Sequence, residues 1–115
     1  MASKILLAVM LFGAAVVVWQ RLTANFITGE QARQLVSEGA LLVDVRSTGE
    51  FSGGHISGAI NIPVHQLANR MAELEPKTQT IVVYCQSGAR SSRAQKKLSG
   101  QGFQAVHNLG GIGRW

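Results

Sequence analysis

The chain has 115 residues, a formal net charge of +5 and one cysteine. The length excludes a two-domain enzyme with a separate cofactor domain, and the single cysteine excludes an intramolecular disulfide and a cysteine-rich metal site. The charge is uneven, because residues 23–84 carry four basic and all six acidic residues, whereas residues 85–115 carry five basic residues and no acid. Without interleaved aromatic residues, this basic third favours a field for a small anion over nucleic-acid binding.

Residues 5–19 form an uncharged apolar run between Lys4 and Arg21. We expect residues 1–22 to be a membrane anchor or a signal segment, followed by a linker over residues 23–27. The run is short for a spanning helix of about 20 residues, but the flanking basic side chains can reach the headgroups and Trp19 suits the interface. No good small-x-small cleavage site follows. The sequence thus predicts a hydrophobic N-terminal helix that contacts the membrane through residues 5–20 as a single-pass anchor, with export after signal cleavage as the alternative.

Helices and strands alternate through the rest of the chain. Thr28 and Gln31 match a capping box, which predicts a helix to about residue 38 that ends at Gly39. The apolar run 40–45 is typical of a strand buried on both faces. Further predicted segments are a glycine-rich loop over 47–58 and a strand over 59–62.

The second half continues the alternation. The pattern predicts a helix over 64–74, the strongest strand over 80–84, a basic helix over 91–98 capped by Ser91, a strand over 103–108 and a glycine-rich tail over 109–115. We therefore predict an α/β fold of three layers, with a central, mainly parallel sheet flanked by helices.

Cys85 lies where the strongest strand ends and a helix follows. In open α/β sheets, ligands bind at the carboxyl ends of strands, and a helix N-terminus favours an anion there. Gly88 allows successive N–H groups to point inward, and Arg90 and Arg93 add positive charge. These features predict a thiol with a lowered pKa that acts as a nucleophile. The alternative is a small buried hydrophobic residue.

The loop Cys85-x-x-Gly88-x-Arg90-Ser91 resembles the active loop of the single-domain rhodanese family, the thiosulfate sulfurtransferases. Two more segments resemble the signatures of that family, namely residues 44–63 and residues 110–115 with their Gly-Gly-x-x-x-Trp pattern. The resemblance covers residues 28–115 and implies a rhodanese-like domain over that range.

The resemblance implies that the Cys85 thiolate takes the outer sulfur of thiosulfate, releases sulfite and carries a persulfide, from which a thiol or cyanide removes the sulfur. It implies no cofactor, and we expect the soluble part to be a monomer.

Two alternatives are a non-catalytic or carrier module that docks to or passes sulfur to a partner protein, and a phosphatase-like enzyme. Related phosphatases have five residues between cysteine and arginine, whereas this loop has four, which favours sulfur. The predicted anion-binding loop consists of Gln86, Ser87, Gly88, Ala89 and Arg90.

Four further residues are predicted to support the site: Asp44, Arg46, Glu50 and His55. For Arg90, substrate binding and pairing with a carboxylate are equally open, and the resemblance implies Glu50 or Asp44 as the partner. Arg46 either guides anions or has a structural role beside Asp44, and we favour the second. We expect His55 to hold its loop through hydrogen bonds rather than act as a base. The histidines lack ligand-like spacing, so we predict no metal site.

Overall fold

The structure is a computed structural model that describes residues 26–115. The predicted anchor or signal segment over residues 1–22 lies outside the described residues, so its placement at a membrane stays a prediction. Within residues 26–115, no helix is both long enough and apolar enough to cross a bilayer.

A four-stranded sheet forms the centre of the domain. Its strand order is β2-β1-β3-β4, and every neighbouring pair is parallel. This arrangement confirms the predicted α/β fold with a parallel sheet. In chain order the elements are α1 (Gly29–Ser37), β1 (Leu41–Asp44), α2 (Thr48–Ser52), β2 (Ile60–Asn61), two 3-10 helices (Val64–Asn69 and Met71–Leu74), β3 (Thr80–Cys85), α3 (Ala89–Gly100), β4 (Ala105–Gly111) and a last 3-10 turn (Ile112–Arg114).

The apolar strands bury both faces of this sheet, as their unbroken hydrophobic runs predict. Alternate residues of a strand point to opposite faces, so neighbours along β1 and β3 enter different cores. One core lies on the α3 side and contains Val43, Val45, Ile81, Val83, Cys85, Ala94 and Leu98. The other lies on the α1 side and contains Ala32, Leu42, Val82, Tyr84 and Leu109.

The first helix begins and ends where the sequence predicts. The Thr28 hydroxyl accepts a hydrogen bond from the backbone N–H of Gln31 at 3.0 Å, and the Gln31 side chain accepts one from the Thr28 N–H at 2.9 Å. Beyond its end, Gly39 has a φ of 103°, a conformation that favours glycine and turns the chain into β1.

Two segments differ from the sequence prediction. The segment 47–58 is not all loop, because Ser47 and Glu50 form a second capping box that starts the short helix α2. The predicted helix over residues 64–74 is instead two 3-10 helices, interrupted at Arg70, whose φ of −122° is outside the helical range.

The helix and the strand that follow Cys85 also begin and end at other residues than the sequence predicts. The helix α3 begins at Ala89 rather than Ser91, so the prediction of Ser91 as its N-cap is wrong. Gly88 is the N-cap, and its φ of 111° reverses the chain directly after β3. The last strand lies further along the chain than predicted and extends to Gly111, which pairs with Cys85.

Candidate active site

Cys85 ends β3 at the carboxyl edge of the sheet, and only 1% of its surface is exposed. The chain then turns through Gln86, Ser87 and Gly88 into α3. This turn directs the Gly88 N–H at the Cys85 Sγ over a distance of 3.0 Å. The sulfur is therefore held at the N-terminus of a twelve-residue helix, where backbone N–H groups lack partners within the helix.

Two opposing effects act on the pKa of the Cys85 thiol. Burial raises the pKa because it penalises the charged form, whereas hydrogen bonds from the Ser91 side chain and from the backbone of Ser91, Gly88 and Ser87 lower it. The hydrogen bonds outweigh burial, so the pKa lies below its ordinary value. The direction agrees with the sequence argument, but the main stabilising groups are hydrogen-bond donors rather than arginines.

Ser91 is a site residue that the sequence reasoning assigned to a different role. It is completely buried, and its Oγ lies 3.5 Å from the Cys85 Sγ and 3.0 Å from the Gly88 carbonyl oxygen. In the structure this hydroxyl donates to the Gly88 carbonyl; rotated toward a thiolate, it can donate to sulfur instead. The sequence could have indicated this contact, because Ser91 follows Cys85 by six residues and stands in the first turn of α3, which faces the loop.

Arg90 pairs with Glu50. Its Nη1 and Nη2 donate to the two carboxylate oxygens of Glu50 at 2.6 and 3.0 Å, a two-pronged contact. Because the Arg90 guanidinium and the Ser47 backbone N–H both donate to the Glu50 carboxylate, the pKa of Glu50 falls to about 2. The side chains of Arg90 and Glu50 are 30% and 34% exposed, so the pair lies at the rim of the loop.

Arg46 and Asp44 form a second pair, which is buried. The Arg46 guanidinium donates to the Asp44 carboxylate at 2.8 Å, to the Gly54 carbonyl at 2.7 Å and to the Gln86 Oε1 at 3.2 Å. It also lies 5.8 Å from the centre of the Tyr84 ring. Only 4% of Arg46 is exposed, so the structure places it between the carboxylate and two loops, in the structural position that the sequence favours.

The remaining predicted residues separate into two groups. Gln86 and Ser87 are exposed in the turn after Cys85, and Ala89 is exposed as the first residue of α3. His55 is exposed, its ring stacks on Phe51 at 3.6 Å, and its Nδ1 lies 2.9 Å from the Phe51 carbonyl oxygen, so it holds its own turn. Within the described part of the chain, no group of three His, Cys, Asp or Glu side chains is arranged to hold a metal ion.

Phe26, which the sequence reasoning did not single out, packs against the back of the loop. A Cβ atom at Gly88 would lie 2.6 Å from the Phe26 ring, and one at Gly110 would lie 3.0 Å from it. The Arg114 guanidinium covers the same ring at 5.2 Å from its centre. Glycine at both positions therefore lets an aromatic ring approach the backbone that carries the thiolate donors.

This arrangement presents one buried sulfur with a lowered pKa, a set of N–H groups directed at it and two carboxylate-paired arginines. A thiolate held in this way can attack an electrophilic sulfur, and the same N–H groups can stabilise a negative charge on the sulfur that it gains.

Comparison with known proteins places this geometry in a family. Residues 28–115 match the model of the rhodanese-like domain. The chain belongs to this family. A sulfurtransferase of Allochromatium vinosum is 43% identical to this chain in an alignment of 94 residues that covers 79% of this chain and 87% of the relative.

Two further relatives support the family and the fold. The thiosulfate sulfurtransferase GlpE of Pseudomonas entomophila is 38% identical over 90 residues, which are 77% of this chain and 82% of that protein. The structure of a human single-domain sulfurtransferase superposes with a TM-score of 0.66 at 28% identity, over 79% of this chain and 91% of the human one. The rhodanese-like domain thus has the fold and the sulfurtransferase relatives that its motifs imply.

Proposed function

We propose that this rhodanese-like domain transfers sulfane sulfur from a donor of the thiosulfate type to a thiol or cyanide through a persulfide on Cys85. The observation that carries the proposal is the Gly88 N–H, which donates to the Cys85 Sγ at 3.0 Å beneath the first turn of α3. An N–H in this position stabilises the attacking thiolate and also the terminal sulfur anion of a persulfide.

The transfer takes two displacement steps. The Cys85 thiolate attacks the outer sulfur of thiosulfate, the sulfur–sulfur bond of the donor breaks, and its electron pair leaves with sulfite. Cys85 then carries a persulfide anion, so the net charge is the same on both sides of this step. An acceptor thiolate or cyanide next attacks the outer sulfur and restores the Cys85 thiolate.

The loop length supports sulfur transfer over phosphate hydrolysis. Four residues separate Cys85 from Arg90, and the Arg90 guanidinium already binds both oxygens of Glu50. A phosphatase-like reaction needs a guanidinium that binds the oxygens of a tetrahedral phosphate. The pairing of Arg90 with Glu50 therefore argues against that reaction.

Intact-protein mass spectrometry after incubation with thiosulfate tests the proposal. We expect the wild-type protein to gain the mass of one sulfur atom and to lose it again when cyanide is added, with thiocyanate as the product. The variant Cys85→Ser should gain nothing. A wild-type protein that stays unmodified and forms no thiocyanate would overturn the proposal.

The same measurement separates the enzyme from a carrier module. An enzyme releases thiocyanate or a small-molecule persulfide over many turnovers. A carrier loads one sulfur from thiosulfate and releases it only to a protein thiol, so loading without turnover would favour the carrier.

A further inference from the structure

Two guanidinium groups beside the active loop each bind a carboxylate. Arg46 is 4% exposed and makes three of its contacts with Asp44, whereas Arg90 binds Glu50 at the rim. Glu50 therefore neutralises Arg90, one of the five basic residues of residues 85–115, at the rim where a donor would enter.

Arg90 is the guanidinium that could meet a donor. Its side chain is 30% exposed, and it stands in the first turn of α3, the helix whose N-terminus holds the Cys85 sulfur. Arg93, three residues further along α3, is exposed to water, where salt screens its charge. Whether the rim attracts a doubly charged donor thus depends on what neutralises Arg90.

Glu50 is fixed in the position that neutralises Arg90. Besides the two bonds from Arg90, its Oε1 accepts the Ser47 backbone N–H at 3.1 Å and the Ser47 hydroxyl at 3.0 Å. These bonds belong to the capping box of α2, so the carboxylate is held by the helix itself and not by Arg90 alone. To bind Arg90, a donor anion would have to compete with the Glu50 carboxylate, which is already bound to it.

We propose that Glu50 is a specificity-determining residue that disfavours doubly charged sulfur donors relative to singly charged ones. The inference rests on the proposed function and concerns its donor class. Thiosulfate carries two negative charges, whereas a thiosulfonate carries one and has the same sulfur–sulfur bond to break. With a thiosulfonate, the Cys85 thiolate takes the terminal sulfur and a sulfinate leaves with the electron pair of that bond. The Glu50 carboxylate repels the first donor about twice as strongly as the second.

The test compares kcat/KM for thiosulfate and for benzenethiosulfonate in the wild-type protein and in Glu50→Gln. The glutamine keeps the shape and one acceptor oxygen but removes the charge. We expect the ratio of thiosulfate to benzenethiosulfonate efficiency to rise about fivefold, through KM rather than kcat, because two unit charges about 4 Å apart in water contribute about that factor for each additional donor charge. The thiosulfate KM of the variant should also rise more steeply with salt than that of the wild type.

Two control variants separate charge from geometry. Glu73→Gln removes the same charge from a matching exposed pair, in which Arg70 binds both oxygens of Glu73 at 2.6 and 2.9 Å. Ser47→Ala weakens the anchoring of Glu50 and keeps its charge. In both variants the donor ratio should stay within about twofold of the wild type, because each keeps the Glu50 charge beside Arg90 and an exposed pair elsewhere contributes little.

Each outcome bears on the proposal. If both donors load sulfur on Cys85 but the ratio is unchanged in Glu50→Gln, or if Glu73→Gln or Ser47→Ala shifts it equally, the inference fails and the proposed function stands. If neither donor loads sulfur on Cys85 of the wild-type protein, the proposed function fails and the inference fails with it.

Discussion

Two arginine–carboxylate pairs flank the same loop and differ in burial. Arg46 and Asp44 are 4% and 0% exposed, and the carboxylate also accepts the Arg46 backbone N–H at 2.8 Å. The side chains of Arg90 and Glu50 are about one-third exposed at the rim. The partners have the same chemistry in both pairs, but water reaches only one of them.

This difference determines what each pair can do. When a buried charge loses its partner, no water can take the place of that partner, so the buried pair of Arg46 and Asp44 contributes to the stability of the fold. An exposed pair contributes little to stability, because water and salt screen it, but its net charge acts on a ligand that approaches the rim. Burial therefore gives the inner pair, Arg46 and Asp44, a structural role, and exposure leaves the outer pair, Arg90 and Glu50, able to act on the choice of donor.

The largest expected effect comes from breaking the inner pair. Asp44→Asn keeps the shape and leaves Arg46 as an uncompensated buried charge, so we expect a loss of roughly 3–5 kcal/mol in the free energy of unfolding. Urea denaturation followed by circular dichroism measures it. Glu50→Gln, measured in parallel, should change the unfolding midpoint little. Equal losses in the two variants would contradict the contrast between the pairs.

A second prediction sharpens the comparison by asking what stabilises the thiolate when both arginines are paired. Ser91→Ala removes a hydroxyl 3.5 Å from the Cys85 Sγ, so the pKa of Cys85 should rise. The rate of alkylation by iodoacetamide at pH 7 should fall about fivefold, the effect of one lost hydrogen bond, and its pH profile should move to higher pH.

The matched control for this prediction lies on the same helix. The Ser92 hydroxyl accepts a hydrogen bond from the Asn108 side chain at 3.1 Å, whereas the partners of the sulfur are Ser91 and Gly88. Ser92→Ala should therefore leave the alkylation profile unchanged. An unchanged profile in Ser91→Ala would show that the backbone N–H groups stabilise the thiolate without the hydroxyl.

The smallest expected effect concerns the protonation of the outer pair. Because the folded state lowers the pKa of Glu50 from 4.5 to about 2, the pair contributes fully above the unfolded pKa and is lost only as pH falls through about 2. Carboxyl NMR should therefore show Glu50 ionised at pH 3. In Arg90→Gln the midpoint should move up towards 4.5, and a wild-type midpoint already near 4.5 would contradict the pairing.

Much of the fold follows from local patterns in the sequence. The apolar runs predicted the strands β1 and β3, and the capping box at Thr28 predicted the start of α1. The same capping pattern at Ser47 and Glu50 was missed, because the glycines around it indicate a loop. That helix has only five residues and depends on tertiary contacts such as the bond between Glu50 and Arg90.

The site was predictable where it depends on the order of elements and not where it depends on packing. A cysteine between a buried strand and a helix must lie at the sheet edge, so Cys85 and its loop followed from the sequence. The choice between Asp44 and Glu50 as the partner of Arg90 requires the position of α2 in space. The buried role of Ser91 likewise required the true start of α3, which Gly88 sets through its positive φ.

The contacts of Phe26 bear on where a shortened version of this domain should begin. The family match starts at residue 28, two residues after the ring that packs against Gly88 and Gly110. Phe26 also forms a bridge to Asn108 of β4, and the Ile27 backbone N–H donates to the Asn108 carbonyl at 2.8 Å. A protein cut or fused at Thr28 would keep every residue of the matched family region and lose the ring behind the loop. A shortened or grafted version of the domain should therefore include Phe26.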